Sequence, residues 1–325
     1  MDIFPDWFSD SPFPALVFRP LLFYIYTNYF MESVLSVQNI SKNYSQVQAL
    51  KNVSFDVPAG SVFGILGPNG SGKTTLLGII LDIIVPLGGH YNWFGGMDAV
   101  HARRQIGSLL ETPNFYHYMS AFDNLGISAS IKQRGYNDRI AVLEKTGLLQ
   151  RKDSKFQTYS LGMKQRLAIA AALLGGPKVL VFDEPTNGLD PAGIAEMREL
   201  IRLLNSEGIT VIMASHLLDE VEKVCTHVAI LKKGELLVHG PVDTVLRSDD
   251  VLEVKAADMA VLQNVLQSMT GINSVQHVND LLLLKCVADM KAADINRYCM
   301  DKGIVLSHLV LKKKSLETRF MELTN

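Results

Sequence analysis

From residue 34 onward, apolar side chains arrive in short runs closed by turn formers, the pattern of strands and helices laid into a layered fold. Residues 34–37, 49–57 and 62–66 read as strands. The last runs straight into a glycine-rich loop and then an apolar helix from 74 to about 84. Residues 121–149 read as mostly helical, and an Ala/Leu-rich helix follows over 162–174. The runs 179–182 and 210–214 are continuously apolar and not alternating, which predicts short parallel strands buried on both faces, joined by a helix over 192–206. Strand, glycine loop, helix is the layout of a phosphate-binding unit, so an α/β fold is expected.

After Val245 the pattern changes, and the turn residues at 247–250 set a boundary. Strand 251–255, helix 258–269 ended by Gly271, and strand 272–278 lead to a turn at Asn279-Asp280. Strand 281–287, helix 290–302 ended by Gly303, and strand 304–311 complete a βαββαβ order, a ferredoxin-like α+β unit. Met259, Leu262, Val265, Leu266 and Met269 share one helical face, the mark of a packed core. Ser315 is the N-cap of a last short helix. Residues 1–30, rich in aromatics and Pro, have no period of 2 or 3.6. We read them as an extension ahead of a natural start at Met31; the other reading is an arm that packs on a membrane or a partner through its rings.

Composition narrows the class. The chain has 325 residues, 48% of them hydrophobic, which is enough for one large or two smaller cores and argues against disorder. With 31 Lys+Arg against 33 Asp+Glu, the formal net charge of -2 supplies no global attraction to nucleic acid or an anionic membrane. Cys225, Cys286 and Cys299 have no metal-ligand spacing and an odd count, so buried thiols in a reducing compartment are expected. The apolar stretch 13–30 is interrupted by Pro14, Arg19 and Pro20, and no later run is long and apolar enough to span a bilayer. A soluble or peripherally attached protein is expected.

Chemistry concentrates in two segments. Gly67-Pro68-Asn69-Gly70-Ser71-Gly72-Lys73-Thr74, with Thr75 after it, fits G-x4-G-K-[ST] between a buried strand and a helix N-terminus. Glycines let consecutive N–H groups converge on phosphate oxygens, Lys73 reaches the β- and γ-phosphates, and the Thr74 hydroxyl is placed for Mg²⁺. The second segment is the apolar strand that ends in Asp183-Glu184. Strand alternation sends the two carboxylates apart, which predicts Asp183 at Mg²⁺ and Glu184 as the group that orients or deprotonates the attacking water.

With Tyr159-Ser160-Leu161-Gly162-Met163-Lys164-Gln165-Arg166 shortly before that strand, the chain resembles the ATP-binding cassette family over about residues 34–245. The octapeptide looks like the family's signature, usually L-S-G-G-Q, with Ser160 and Gly162 retained and Leu161 and Met163 departing from it. The resemblance implies a P-loop ATPase with a mixed sheet, an antiparallel β subdomain and a helical subdomain. It also implies two ATP molecules sandwiched in a dimer between phosphate loop and signature.

By the same resemblance Tyr44 would stack on adenine, and Gly188-Leu189-Asp190 would communicate across the dimer. His216, after Ser215, would contact the γ-phosphate. Glu111 stands where the family's Mg²⁺-contacting glutamine is expected. Residues 111–116 together with the signature look like the bacitracin and antibiotic-peptide resistance branch. Its end, Ser315-Leu316-Glu317 and Phe320-Met321-Glu322-Leu323, looks like the closing segment of single-cassette exporters.

The expected organisation is therefore an extension at 1–30, a nucleotide-binding domain at 31–245 and an accessory domain at 250–325. The expected function is the ATPase subunit of a transporter, at the inner face of the membrane, driving separate permease subunits through a surface at residues 108–131. Its second cassette would be a copy of itself or a different chain. The alternatives are a soluble cassette ATPase acting on ribosomes or DNA and a non-catalytic nucleotide-binding subunit; no nucleic-acid partner is expected.

Overall fold

The computed structural model describes residues 33–110, 114–247, 251–287, 290–312 and Phe320. Its largest sheet has six strands: β3 (Val62–Leu66), β5 (Ile106–Leu109), β6 (Val179–Asp183), β7 (Thr210–Ser215), β8 (His227–Lys232) and β9 (Glu235–Pro241), in the order β5-β6-β7-β3-β8-β9. The first five are mutually parallel, and β9 joins antiparallel to β8. Every residue of β3, β6 and β7 is buried, because helices or a second sheet cover both faces.

Alternation inside β6 shows the two-sided packing directly. Val179 and Val181 join one apolar cluster, Leu180 and Phe182 the other. The first cluster is shared with α1 (Lys73–Ile80) and with a three-stranded antiparallel sheet, β2-β1-β4, built from β1 (Ser33–Tyr44), β2 (Val47–Pro58) and β4 (Gly88–Trp93). The second is shared with α3 (Ala121–Lys132), α4 (Arg139–Lys145), α5 (Leu161–Leu173) and α6 (Pro191–Ser206). A fully buried side chain such as Phe182 contributes roughly 1.5–3 kcal/mol by leaving water. Smaller helices α2 (Ala99–Arg104), α7 (Leu218–Val224) and α8 (Val242–Arg247) link strands at the edges.

The helical region differs from the sequence expectation. Residues 121–149 break into α3 and α4, because Gln133 (φ +54°) and Gly135 (φ +75°) turn the backbone into the left-handed region. The expected helical surface at 108–131 is helical only from Ala121; Ser108 belongs to β5, and residues 111–113 lie outside the described ones. The phosphate-loop helix also stops earlier than expected, at Ile80.

Residues 251–312 fold as β10 (Val251–Ala256), α9 (Met259–Gln267), β11 (Ile272–Val278), β12 (Leu281–Cys286), α10 (Ala292–Asp301) and β13 (Leu306–Lys312). The four strands form an antiparallel sheet in the order β11-β12-β10-β13. Leu252, Val254, Leu282 and Leu284 point to one face, where Leu262, Leu266, Ile295 and Cys299 close a core of their own. Met259, Val265 and Met269 pack against it, as the helical periodicity predicted. Cys225 and Cys299 are buried and Cys286 is half-buried. Residues 1–30, Glu111, Ser315 and most of the closing segment lie outside the described residues; Phe320 packs against the second cluster of the large sheet.

Candidate nucleotide site

The site is assembled at the C-terminal ends of β3, β6 and β7, where the chain leaves the buried sheet. After Leu66 the backbone turns through Gly70 (φ +78°) and Gly72 (φ +108°) before α1 begins at Lys73. At Gly72 a side chain has no room: a Cβ would lie 2.6 Å from the Ala49 carbonyl oxygen and 2.8 Å from Leu50. Beside Gly70, by contrast, there is open space, so the backbone there is free for a ligand to approach. A two-residue turn, Lys233-Gly234, with both residues at positive φ, joins β8 to β9 and supports the loop. The Gly234 N–H donates to the Ser71 carbonyl at 3.0 Å.

Lys73 is buried and donates through Nζ to the Gly67 and Pro68 carbonyls at 2.8 and 3.3 Å, with Glu184 Oε1 at 3.6 Å. The Thr74 hydroxyl donates to Asp183 Oδ2 at 2.8 Å, tying the start of α1 to the end of β6. Glu184 then leaves the strand at φ +50°, with its N–H donating to the Ala214 carbonyl at 3.0 Å. That turn carries its carboxylate to His216, whose Nδ1 lies 2.8 Å from Oε2. The predicted divergence of Asp183 and Glu184 is therefore present, one carboxylate toward Thr74 and the other toward His216.

These groups open on a cleft of about 1110 Å³. Asn69, Gly70, Gly72, Lys73, Thr74, Thr75, Asp183 and Glu184 line it. Gly67, Pro68 and Ser71 are not among its lining residues. Tyr44 is not among the lining residues; it sits half-exposed at the end of β1 beside Lys42, and the wall near it is Val47, Gln48 and Ala49 of β2. Lys51, Asn187 and Lys233 also line the cleft without having been singled out by motif.

Within a single chain the signature segment meets the cleft only in part. Ser160 caps α5, its hydroxyl accepting from the Met163 N–H at 3.3 Å. Met163 packs against the apolar cluster and Gly162 faces Leu189. It is Leu161 and Gln165, one helical turn apart, that reach the cleft. Gly188 lines the cleft as well and approaches Leu161, while Asp190 caps α6 by accepting from the Gly193 N–H at 3.0 Å.

A glycine cradle at a helix start, a lysine held against it, and a threonine hydroxyl paired with a strand-end aspartate suit a nucleoside triphosphate. The oxygen pair from Thr74 and Asp183 also suits a small hard cation, and the Ser71 hydroxyl, buried without a hydrogen-bond partner among the described residues, is a further oxygen at the same loop. Fold and site together define a P-loop nucleotide hydrolase.

Comparison narrows that class. The family described as ABC transporter matches residues 50–187. An uncharacterized ABC transporter ATP-binding protein of Bacillus subtilis (strain 168), YdbJ, is 35% identical over 298 residues, spanning 90% of this chain and 96% of the relative. The bacitracin transport ATP-binding protein BcrA of Enterococcus faecalis is 33% identical over 301 residues, spanning 90% and 97%. Among solved structures, a dimeric post-hydrolysis state of the ATP-binding cassette MJ0796, bound to ADP and Pi, aligns with a TM-score of 0.57 at 28% identity, covering 64% of this chain and 98% of that one. The chain belongs to the ATP-binding subunits of ABC transporters, and it is an ATPase. The ribosome or DNA reading and the non-catalytic reading are set aside, and the resemblance to the bacitracin branch is borne out by the relatives.

Proposed function

We propose that this chain is the ATP-driven subunit of an exporter of antibiotic peptides, working as a pair of cassettes beneath separate permease subunits at the inner face of the membrane. Export and the antibiotic class rest on similarity to bacitracin transport relatives. Pairing rests on the dimeric cassette to which the chain is similar, and the proposal holds for a second copy or a different cassette. A permease in separate chains rests on similarity to the bacitracin transport ATP-binding protein, 97% of whose length the match spans. We further propose the division into residues 31–245, which carry the nucleotide site, and 250–325, an accessory unit.

In this reading ATP enters with its phosphates on the loop 67–74, and Lys73 Nζ leaves the loop carbonyls for the β- and γ-phosphate oxygens. Thr74 and Asp183 would hold Mg²⁺, which would supply neutralisation of charge developing on the phosphates. The Glu184 carboxylate accepts one proton of the attacking water at Oε1, and His216, already hydrogen-bonded to Oε2, fixes its orientation. Leu161, Gln165 and the Gly188 loop form the far wall, where a second cassette closes the site. An open groove on α3, of about 520 Å³ and lined by Met119, Asp123, Ile127, Ile131, Tyr136 and Arg139 among others, is the proposed seat for the permease.

The observation that carries the hydrolytic part of the proposal is the convergence of Thr74–Asp183 and Glu184–His216 at neighbouring strand ends; the transporter part is carried by the bacitracin transport relative. Affinity purification from gently solubilised membranes with ATP and Mg²⁺ tests the transporter reading. Recovery of a polytopic membrane protein is expected; recovery of only ribosomal or DNA-associated proteins overturns it and leaves the ATPase chemistry standing.

A further inference from the structure

The C-terminal end of α5 is gripped in a way that the nucleotide chemistry does not use. Lys132, the last residue of α3, buries its ammonium and donates to the Ala171 and Ala172 carbonyls at 2.6 and 3.0 Å. Both belong to the last turn of α5, where the Ala171 carbonyl otherwise accepts only a long bond, 3.4 Å, from the Leu174 N–H at the C-cap. The positive charge lies at the negative end of that helix. Six residues on, Asp138 Oδ2 accepts from the Gly175 N–H at 3.0 Å, just past the same turn.

Between these two contacts the backbones touch. A Cβ on Gly135 would lie 2.5 Å from the Gly175 nitrogen, and one on Gly175 would lie 2.7 Å from the Arg134 side chain. From the other side Gly107 of β5 abuts the Ala172 carbonyl, where a Cβ would come within 2.3 Å. The turn is thus clamped between β5 and the loop from Lys132 to Asp138.

The same loop, with the ends of α3 and α4 that it joins, has a second face. Ser130, Ile131, Tyr136 and Arg139 line the open groove on α3, and Ile131 is 79% exposed. Arg139 is held there between the Phe122 and Tyr136 rings, 3.9 and 4.0 Å from their centroids. At its opposite end α5 presents Leu161 and Gln165 to the nucleotide cleft. A rigid helix therefore runs from the clamp to the cleft.

We propose that Lys132 and Asp138 are positioning residues for ATP hydrolysis: they fix the C-terminal turn of α5 to the groove-lining loop and thereby set where its first turn stands in the nucleotide cleft. This deepens the ATPase reading and rests on it. Nucleotide binding, which uses the phosphate loop, does not depend on the clamp; turnover, which needs the far wall of the cleft, does.

The charge on Lys132 gives the proposal a pH signature. Burial, with the neighbouring Arg134 guanidinium adding repulsion, brings its amine from the ordinary 10.5 down to about 8. Arg134 itself feels Arg104 of α2, while α5 offers the two carbonyls and Asp138 is engaged with Gly175. The amine is charged below about pH 8 and loses its charge, and its pull on the helix end, as the pH rises through that value.

The test uses the full chain, comparing Lys132→Met, Lys132→Arg, Asp138→Ala and wild type. Lys132→Met and Asp138→Ala are expected to lower kcat about tenfold while the Kd for a fluorescent ATP analogue stays within about twofold. Lys132→Arg, charged at every pH used, restores most of the turnover, and the ratio of wild-type to Lys132→Arg kcat falls above about pH 8. Amide exchange at residues 161–165 speeds up in Lys132→Met. Wild-type kcat in Lys132→Met, or a ratio to Lys132→Arg that is constant across pH, overturns the proposal; the ratio needs only wild type and Arg variant, so it serves even if Met prevents folding. A wild type that binds ATP without hydrolysing it would overturn the ATPase reading instead, and unchanged exchange at 161–165 would then overturn this one separately.

Discussion

The six-stranded sheet and the C-terminal four-stranded sheet are built from similar apolar residues and treat charge in opposite ways. In β3, β6 and β7 every position is buried, so the polar groups are driven to the strand ends, and Lys73 and Asp183 are held out of water there. A charge so placed must be matched by fixed partners, and each is: loop carbonyls and Glu184 for Lys73, the Thr74 hydroxyl for Asp183. In β10 burial alternates, and Glu253, on the less covered face, meets the exposed Lys312 at 3.0 Å and His308 at 3.6 Å. Water can replace Lys312, whose side chain is 70% exposed, so this ion pair has little hold on the fold. Chemistry follows the sheet that cannot hydrate its charges.

Three substitutions would break or sharpen that contrast. The largest effect is expected from Glu184→Gln, which removes the carboxylate at the water position: hydrolysis should fall by about 10²-fold or more with ATP binding retained, read by phosphate release and nucleotide titration. Wild-type hydrolysis in this variant would place the base elsewhere. Next is Leu284→Ala in the C-terminal core, expected to cost about 2–5 kcal/mol in urea unfolding of that unit. Because this core is distinct from the two beside the large sheet, ATP turnover should persist; a parallel loss of turnover would make the two regions one cooperative body. The smallest is Glu253→Gln, expected to leave both the melting temperature and ATPase rate close to wild type. A large drop in melting temperature would show that the open face carries a buried-type charge after all.

Local motifs were legible in the sequence because backbone geometry demands particular residues. Gly72 cannot carry a side chain, and the buried run before Asp183-Glu184 has only one way to sit in a parallel sheet. The C-terminal element order was legible for the same reason, since each helix ends at a positive-φ glycine, Gly271 or Gly303, or close to it. Strand length was harder. β1 extends well beyond the run 34–37 and β2 slightly beyond 49–57, because Asn39 and Asn52 at positive φ shift the register and scramble the alternation.

The cleft's walls were hidden for another reason. Leu161 and Gln165 are set by helical phase, which a motif of consecutive letters obscures although their spacing of four was there to be used. Val47 and Lys233 arrive from elements distant in sequence, where single-sequence pattern carries no signal. The interruption of 121–149 had a local sign in Gly135, but that Lys132 reaches a second helix is a tertiary fact.

The strand order has a consequence for how the protein is made. β3, which bears the phosphate loop, lies between β7 and β8, so its neighbours on both sides come from much later in the chain. A ribosome that has just added Leu66 must add 166 more residues (232 − 66) before Lys232 completes the flanking strand. At about 5–20 residues per second that is roughly 8–33 s. Through most of that interval the strand can pack its Phe63 face on β2 but has no partner on either edge, and nascent chains stalled within it would be exposed to proteases and in need of chaperones.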